Sequence, residues 1–468
     1  MNGRTRSASK AASTATTANA PSTTTNGKKR RADTHDTGAA AGMQTRHAKR
    51  QALDKPTKKP AEPIPFPIVP TVTPLAPGGH VHAPIAYPVT DPSSLDWDVG
   101  LGFGLITTAG YVRYTCRSGV WDDGAWVAGS TLPDLHIMAT ALHYGQACFE
   151  GLKAYRHADD KAYVFRPHAN HSRMAKSCAR ALMEAPPLDK FLNAVRTCVA
   201  RNMAYVPPHD KPGALYVRPF LFGSGPKLGL NESDEYTFIV TCAPVGEYYK
   251  AGGKPVKALV CGEHDRAAPK GVGSCKLAGN YAPTLLPAKE AKTQGYPITL
   301  YLDPATRTYV DEFATSNFLA ATKTKILTPD SNSVLESVTR MSIMQLARDH
   351  GFTPETRRIK VSELTEGTAD GEPITHIAAC GTAVVLTPVY RIDVPETDAT
   401  GKTTLRRIVA AGWKDMVDAD QEPTDAAMDA GESDPLMKLG NELRAIQKGQ
   451  RPDTHGWLWP ESGITGDE

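Results

Sequence analysis

The sequence predicts an α/β protein, in the α+β sense of two packed domains, preceded by a long tail. Three observations predict it. The chain has 468 residues, more than one ordinary domain takes up. Its hydrophobic fraction of 40% is enough for a sizeable core. From about Asp96 onward, short apolar strand-like runs alternate with stretches of helical period.

Residues 1–85 are rich in Ala, Thr, Ser, Lys and Pro, with few large apolar side chains. Such a segment buries too little surface to offset the entropy of ordering it, so disorder is expected. The tail also concentrates positive charge. Residues 1–60 hold 13 Lys and Arg against 3 Asp, a net +10, and since the whole chain is +3 the rest carries −7. An acidic remainder argues against nucleic acid as a partner. The opening MNGRTRSASKAAS bears Arg and Ser and no acid, as transit peptides do, but lacks the Leu or Phe of an amphipathic helix. Lys28-Lys29-Arg30-Arg31 and the basic cluster from Arg46 to Lys59 have the composition of a nuclear signal. A plain solvated linker fits the same residues. The compartment is read as cytoplasmic or mitochondrial, with a nuclear address the weaker alternative.

A smaller first domain is expected over residues 86–247. Its strand-like runs are YVFR (163–166), ALYVRPFLF (214–222) and TFIVTCAPV (237–245). Between the first two, Val195, Cys198, Val199 and Met203 recur at the helical period, predicting a helix from Asn193 to Tyr205. Residues 248–256, with Gly252-Gly253, read as a hinge. The larger second domain, 257–468, offers the strand runs KALVCG (257–262), PITLYLD (297–303) and FLAATKTKILTP (318–329). Ser337 is a helix cap, and Ile343, Leu346 and Ala347 line one face of that helix as far as Gly351. An insertion rich in Asp, Glu, Ala and Gly near 395–440 is expected to be a surface loop.

Several classes are argued against. No apolar run approaches bilayer length, which predicts a soluble protein with no membrane partner. The eight cysteines contain no C-x-x-C pair and fit a reducing compartment. There is no internal repeat, no heptad pattern and no metal-ligand spacing. His80-Val-His82 lies at the edge of the tail without a third ligand and reads as a solvated pair.

The chemistry begins at Gly271-Val-Gly-Ser-Cys-Lys-Leu-Ala-Gly-Asn-Tyr281. Small residues surround one lysine. A lysine in such a turn can approach a cofactor closely and lose its charge by desolvation, as Schiff-base chemistry requires. Taken alone, the segment fits an ordinary solvated loop lysine as well.

Its surroundings extend the pattern. ALHYGQACFEGLKAY (141–155), FRPHANHSRM (165–174), LYVRPFLFGSGPKLGL (215–230), APVGEYY (243–249), the lysine segment, VDEFATSNF (310–318), LESVTR (335–340) and CGTAVVLTPV (380–389) follow one another along the chain. In this order they resemble the branched-chain amino-acid aminotransferases, members of the fold-type IV pyridoxal-phosphate transaminases, over roughly residues 90–395. The resemblance implies that fold, with the site between a smaller and a larger domain. It also implies pyridoxal 5′-phosphate as cofactor, and reversible amino transfer between leucine, isoleucine or valine and 2-oxoglutarate.

Roles follow by the same resemblance. Lys276 would bind the cofactor covalently and, once freed, move the proton at the substrate carbon. Glu312 would face the pyridine nitrogen, and Tyr281 the phenolic oxygen. Arg173 would take two phosphate oxygens at once, helped by Val338 and Thr339 at a helix start and by Thr382. Tyr144, Phe149, Tyr216, Arg218, Tyr248 and Ala383 would line the substrate pocket, with Arg218 meeting an added carboxylate. Tyr144 and the loop Leu228–Leu230 would reach a neighbouring subunit's site, implying a homodimer. A D-amino-acid transaminase or an aminodeoxychorismate lyase would share Lys276, Glu312 and Arg173. Outside enzymes, the alternative is a catalytically dead scaffold with a nucleic-acid-binding tail. Three departures from the family pattern are visible: the insertion near 395–440 and the long N-terminal tail have no family counterpart, and two more fall within or beside the motifs. Val384 and Thr387 stand where animal members often carry paired thiols, and Ala278 replaces a frequent glycine.

Overall fold

The computed structural model describes residues 87–99, 101–246, 254–414 and 434–466. The tail signals, His80-Val-His82, most of the expected hinge and Tyr248 lie outside the described residues.

Among the described residues, nine antiparallel strands form the first sheet. Its main path runs 458–464, 162–165, 152–156, 214–223, 235–245, 110–117, 120–121. The centre is the long pair of Ala214–Gly223 with Glu235–Val245, in register from Ala214↔Val245 to Gly223↔Tyr236. Alternation along this strand separates two functions. Leu215, Val217 and Leu221 are buried in a core with Phe191, Val195 and Val199 of the helix Leu188–Arg201, and with Met174 and Cys178 of the helix Pro167–Arg180. Tyr216, Arg218 and Phe220 fall between them and line a cavity instead.

The second sheet, again among the described residues, has nine strands, and six of them close into a ring. The path 310–313, 298–302, 256–260, 385–397, 376–381, 317–321 returns to its start through the pair Glu312↔Asn317. Val256–Val260 pairs in parallel with Ile298–Leu302, so the chain between them must cross over. That crossover carries the lysine segment and the helix Leu285–Thr293. Leu300, Phe313, Phe318 and Ile392 pack together as this sheet's own core. A third cluster packs the helices Val338–Asp349 and Pro435–Gln447 against it.

Four expectations change. The run 318–329 is two strands, Asn317–Ala321 and Lys325–Pro329, folded on each other. The 193–205 helix begins earlier, at Leu188, and ends at Arg201, with a short 3-10 turn at Met203–Tyr205. The segment 395–440 is not one loop. Val385–Thr397 turns at Asp398 and returns as Thr403–Val409, and Asp434 caps the helix Pro435–Gln447; residues 415–433 lie outside the described residues. The C-terminus does not stay with the second sheet. Leu458–Ile464 pairs with Ala162–Phe165, where Ile464 is fully buried and the strand covers an edge that would otherwise be open.

Candidate active site

The lysine segment is stitched to the first sheet before its side chain does anything. The Lys276 amide donates to Ser177 Oγ at 2.9 Å, and its carbonyl accepts from the Phe149 amide at 3.2 Å. The Asn280 side chain donates to the carbonyls of Val272 and Cys275, both at 2.8 Å, pinning the turn from inside. Gly273 must be glycine, since a Cβ there would lie 2.3 Å from the Ser333 carbonyl. Ala278 opens a short 3-10 turn in ordinary backbone, so the missing glycine costs nothing there. Lys276 Nζ donates to the Tyr281 hydroxyl at 3.1 Å and lies 4.8 Å from the centre of the Phe149 ring.

Glu312 sits at the pair that closes the ring of strands and is buried. Arg266 reaches one carboxylate oxygen at 2.6 Å, the Leu335 amide donates to the same oxygen at 3.0 Å, and the Asn317 side chain donates to the other at 2.6 Å. Burial pushes the Glu312 carboxyl above its ordinary range, against the opposing pull of Arg266 and the two hydrogen bonds.

Arg173 differs from expectation. Its fork is spent on buried Glu150, with Nε on one oxygen at 2.8 Å and Nη2 on the other at 2.6 Å. Nη2 also donates to Asn170, and Nη1 to the Glu336 carbonyl at 2.9 Å. Of its five N–H groups one remains, on Nη1, so the arginine can offer an anion a single hydrogen bond but no two-point grip.

Thr382 and Ala383 lie in the three-residue connection closed by the Gly381↔Val385 pair. Val385 holds φ +62°, a left-handed conformation that a β-branched residue adopts only under constraint. Two cations constrain it. Lys153 Nζ donates to the Ala383 carbonyl at 2.6 Å, and Arg444 donates to the carbonyls of Val384 and Leu386 at 2.7 and 2.9 Å. Nearby, Ser337 caps its helix by accepting from the Arg340 amide, so the first amides, at Val338 and Thr339, have no acceptor within the helix.

These parts enclose a cavity of about 750 Å³. Phe149, Arg173, Tyr216, Arg218, Lys276, Tyr281, Glu312, Thr382 and Ala383 line it, while Val338 and Thr339 are buried just behind Ser337 in its wall. Tyr144 is not part of it. Its side chain is exposed and its hydroxyl donates to the Leu228 carbonyl, on an outer face. Arg218 lies 4.8 Å from the centre of the Phe149 ring, donates to the Tyr216 hydroxyl at 3.2 Å, and has a buried Nε without an acceptor. Gly151 makes room for that hydroxyl, since a Cβ would lie 2.0 Å from it.

A model of the amino-transferase class IV family matches residues 147–392, more than half of the chain. The chain belongs to the class IV aminotransferases. This aminotransferase is 42% identical over 302 residues to the branched-chain-amino-acid aminotransferase of Helicobacter pylori, covering 64% of this chain and 86% of that one. It is 36% identical over 375 residues to aminotransferase poxL of Penicillium oxalicum, covering 79% and 94%. Its fold is similar to that of the branched-chain aminotransferase from the archaeon Thermoproteus uzoniensis, solved with norvaline, with a TM-score of 0.56, 21% identity, and coverage of 75% and 99%.

Glu150, Lys153, Arg266, Asn317 and Arg444 escaped the sequence reading. Glu150, Lys153 and Asn317 lie inside quoted motifs, where an acid, a base or an amide beside an aromatic carried no role of its own. Arg266 and Arg444 lie outside every motif.

Proposed function

We propose that this aminotransferase holds pyridoxal 5′-phosphate on Lys276 and moves an amino group from leucine, isoleucine or valine to 2-oxoglutarate, reversibly, giving the branched 2-oxo acid and glutamate. The observation that carries the substrate reading is Arg218, an arginine without a counter-ion among the described residues, set between aromatic walls in the cavity that holds Lys276 and Glu312. An apolar branched chain suits the walls, and the added carboxylate of glutamate suits the cation.

The donor set fits the cofactor. When bound, the cofactor supplies a ring that accepts the electrons released at the substrate carbon. Lys276 would take and return the proton at the substrate carbon. The Glu312 carboxylate would hold a proton at the ring nitrogen, and Arg266, Leu335 and Asn317 hold Glu312 in place. Tyr281 would donate to the phenolic oxygen, and Thr382, Ser337, the amides of Val338 and Thr339, and the spare Arg173 N–H would hold the phosphate. Tyr144 on its outer face supports a homodimer in which each subunit completes the other's pocket. For the compartment, the composition of the tail supports cytoplasm or mitochondrion.

The test is borohydride reduction of the purified protein followed by peptide mapping, then a panel of amino donors with 2-oxoglutarate. The expected result is a reduced cofactor on Lys276 and preference for the three branched donors. A reduced cofactor on another lysine, or a panel in which branched donors are not preferred, overturns the reading.

A further inference from the structure

A second concavity, of about 440 Å³, shares no lining residue with the Lys276 cavity. Arg166, Arg340, Arg348 and His455 line it, with Met341, Met344 and Trp457 as its apolar wall, and its lining contains no aspartate or glutamate. Surface arginines ordinarily find an acid or water. Here, among the described residues, none of the three makes an ion pair, in a chain whose residues beyond 60 are net acidic.

Each arginine is held in place by something other than a carboxylate. Arg166 has left-handed backbone, φ +49°, with its amide on the Trp457 carbonyl at 2.7 Å. Its guanidinium lies 5.4 Å from the centre of the Trp457 ring and donates to Ser342 Oγ at 2.8 Å. Burial pushes that guanidinium below the ordinary arginine range, with no counter-charge to restore it. Arg340 makes only a long contact of 3.4 Å to Thr328 Oγ1, and its Nε is buried without an acceptor. Arg348 touches Gln345 at 3.3 Å. Asp349, next to Arg348 on the same helix, is engaged with His455 at 2.7 Å.

We propose that this pocket is a binding site for a multiply charged oxyanion bearing a small apolar body, a phosphate ester by preference. Planar guanidiniums offer paired N–H groups to phosphate oxygens, and three of them converge on this lining without a carboxylate among its residues. Met341, Met344 and Trp457 face the apolar part of the ligand. The site is distinct from the phosphate-binding parts of the Lys276 cavity, although Arg340 belongs to the same helical turn as Thr339.

Titration calorimetry on the cofactor-loaded protein tests this, because loading fills the other phosphate-binding place. The probes are phenyl phosphate, pyrophosphate and citrate at constant ionic strength. Arg348→Ala removes one cation, and Gln345→Glu places a carboxylate in the lining with almost no change of shape. Saturable binding at one site per chain is expected, with Kd of about 0.1–1 mM, weakened at least tenfold in both variants while their cofactor spectra and melting temperatures match the parent. Phenyl phosphate binding more tightly than pyrophosphate supports the ester. Citrate binding tightest overturns the phosphate preference in favour of a polycarboxylate. Absence of saturable binding by all three probes, or binding that Gln345→Glu leaves intact, overturns the site itself.

Discussion

Arg218 and Arg266 illustrate two uses of an arginine within one cavity. Arg218 lines the cavity without a counter-ion among the described residues, while Arg266 is committed to Glu312 at 2.6 Å. Removing each therefore has a different consequence. Arg218→Ala should spare the half-reaction of leucine and lower kcat/KM for glutamate by about 2–5 kcal/mol, the cost of leaving a desolvated carboxylate unpaired. Separate single-turnover measurements of the two half-reactions read this, and equal losses would assign Arg218 to the α-carboxylate or to the fold. Arg266→Leu should instead destabilise the folded protein by about 3–5 kcal/mol, since it strands a buried carboxylate. Urea unfolding at neutral pH measures it. The sign of the pH dependence follows from Glu312, whose carboxyl is already raised by burial: without Arg266 it rises further, so the variant's deficit should shrink as the pH falls and the carboxyl takes up a proton. A deficit that is flat between pH 5 and 8 would mean that the pair is not ionic. Of these residues, Arg218 and Glu312 were legible in the sequence through their motifs. The partners that fix Glu312 were not: Asn317 reaches it across the tight turn between 310–313 and 317–321, inside a motif that gave the amide no role, and Arg266 comes from the crossover after 256–260, which no spacing along the chain brings to Glu312.

At the scale of elements, local pattern read well and connection read poorly. The strand 214–223, read over 214–222 from its apolar run, and the helix capped by Ser337 follow from short-range signals. The Leu458–Ile464 strand joins a sheet whose other members all lie before the lysine segment, and nothing local announces it. The Thr382–Ala383 turn shows the same division. Its sequence points to a binding turn, but the strain at Val385 and its clamps, Lys153 and Arg444, come from distant elements. Redox behaviour also belongs to this scale. With Val384 and Thr387 where thiols are frequent, the thiol lining the cavity is Cys380, which burial pushes up to about 12. Cys148 and Cys178 lie 3.4 Å apart beneath the lysine segment, and their mutual hydrogen bond, then burial, push the Cys148 thiol up as well. Protonated thiols are poor nucleophiles toward peroxide. Brief mild peroxide should therefore leave activity unchanged. Rapid inactivation that a thiol reductant fully reverses would contradict this, and mapping would show whether the Cys148–Cys178 pair had closed.

For the whole molecule, the basic tail and the outer face at Tyr144 make opposite predictions. Residues 1–85 contain none of the site motifs, so their removal should leave specific activity within about twofold, an energy change below ~0.5 kcal/mol. The outer face is different in kind. Leu228 and Leu230 are 82% and 76% exposed, and Ile137 and Leu142 are exposed on the neighbouring segment that carries Tyr144. Residues this apolar cluster at association surfaces more often than in water. The Tyr144–Leu228 hydrogen bond ties the two segments into one projection, and the Lys227 amide on the Met138 carbonyl braces it. If that projection completes a second subunit's pocket, the double substitution Leu228→Asp and Leu230→Asp should give a monomer by sedimentation. Activity should then fall at least tenfold, while the far-ultraviolet spectrum and the near-visible absorption expected of bound cofactor remain. Tail removal should change neither mass state nor rate. A double variant that stays dimeric and fully active would place the subunit contact elsewhere, and a monomer with full activity would show that each pocket is complete within its own chain.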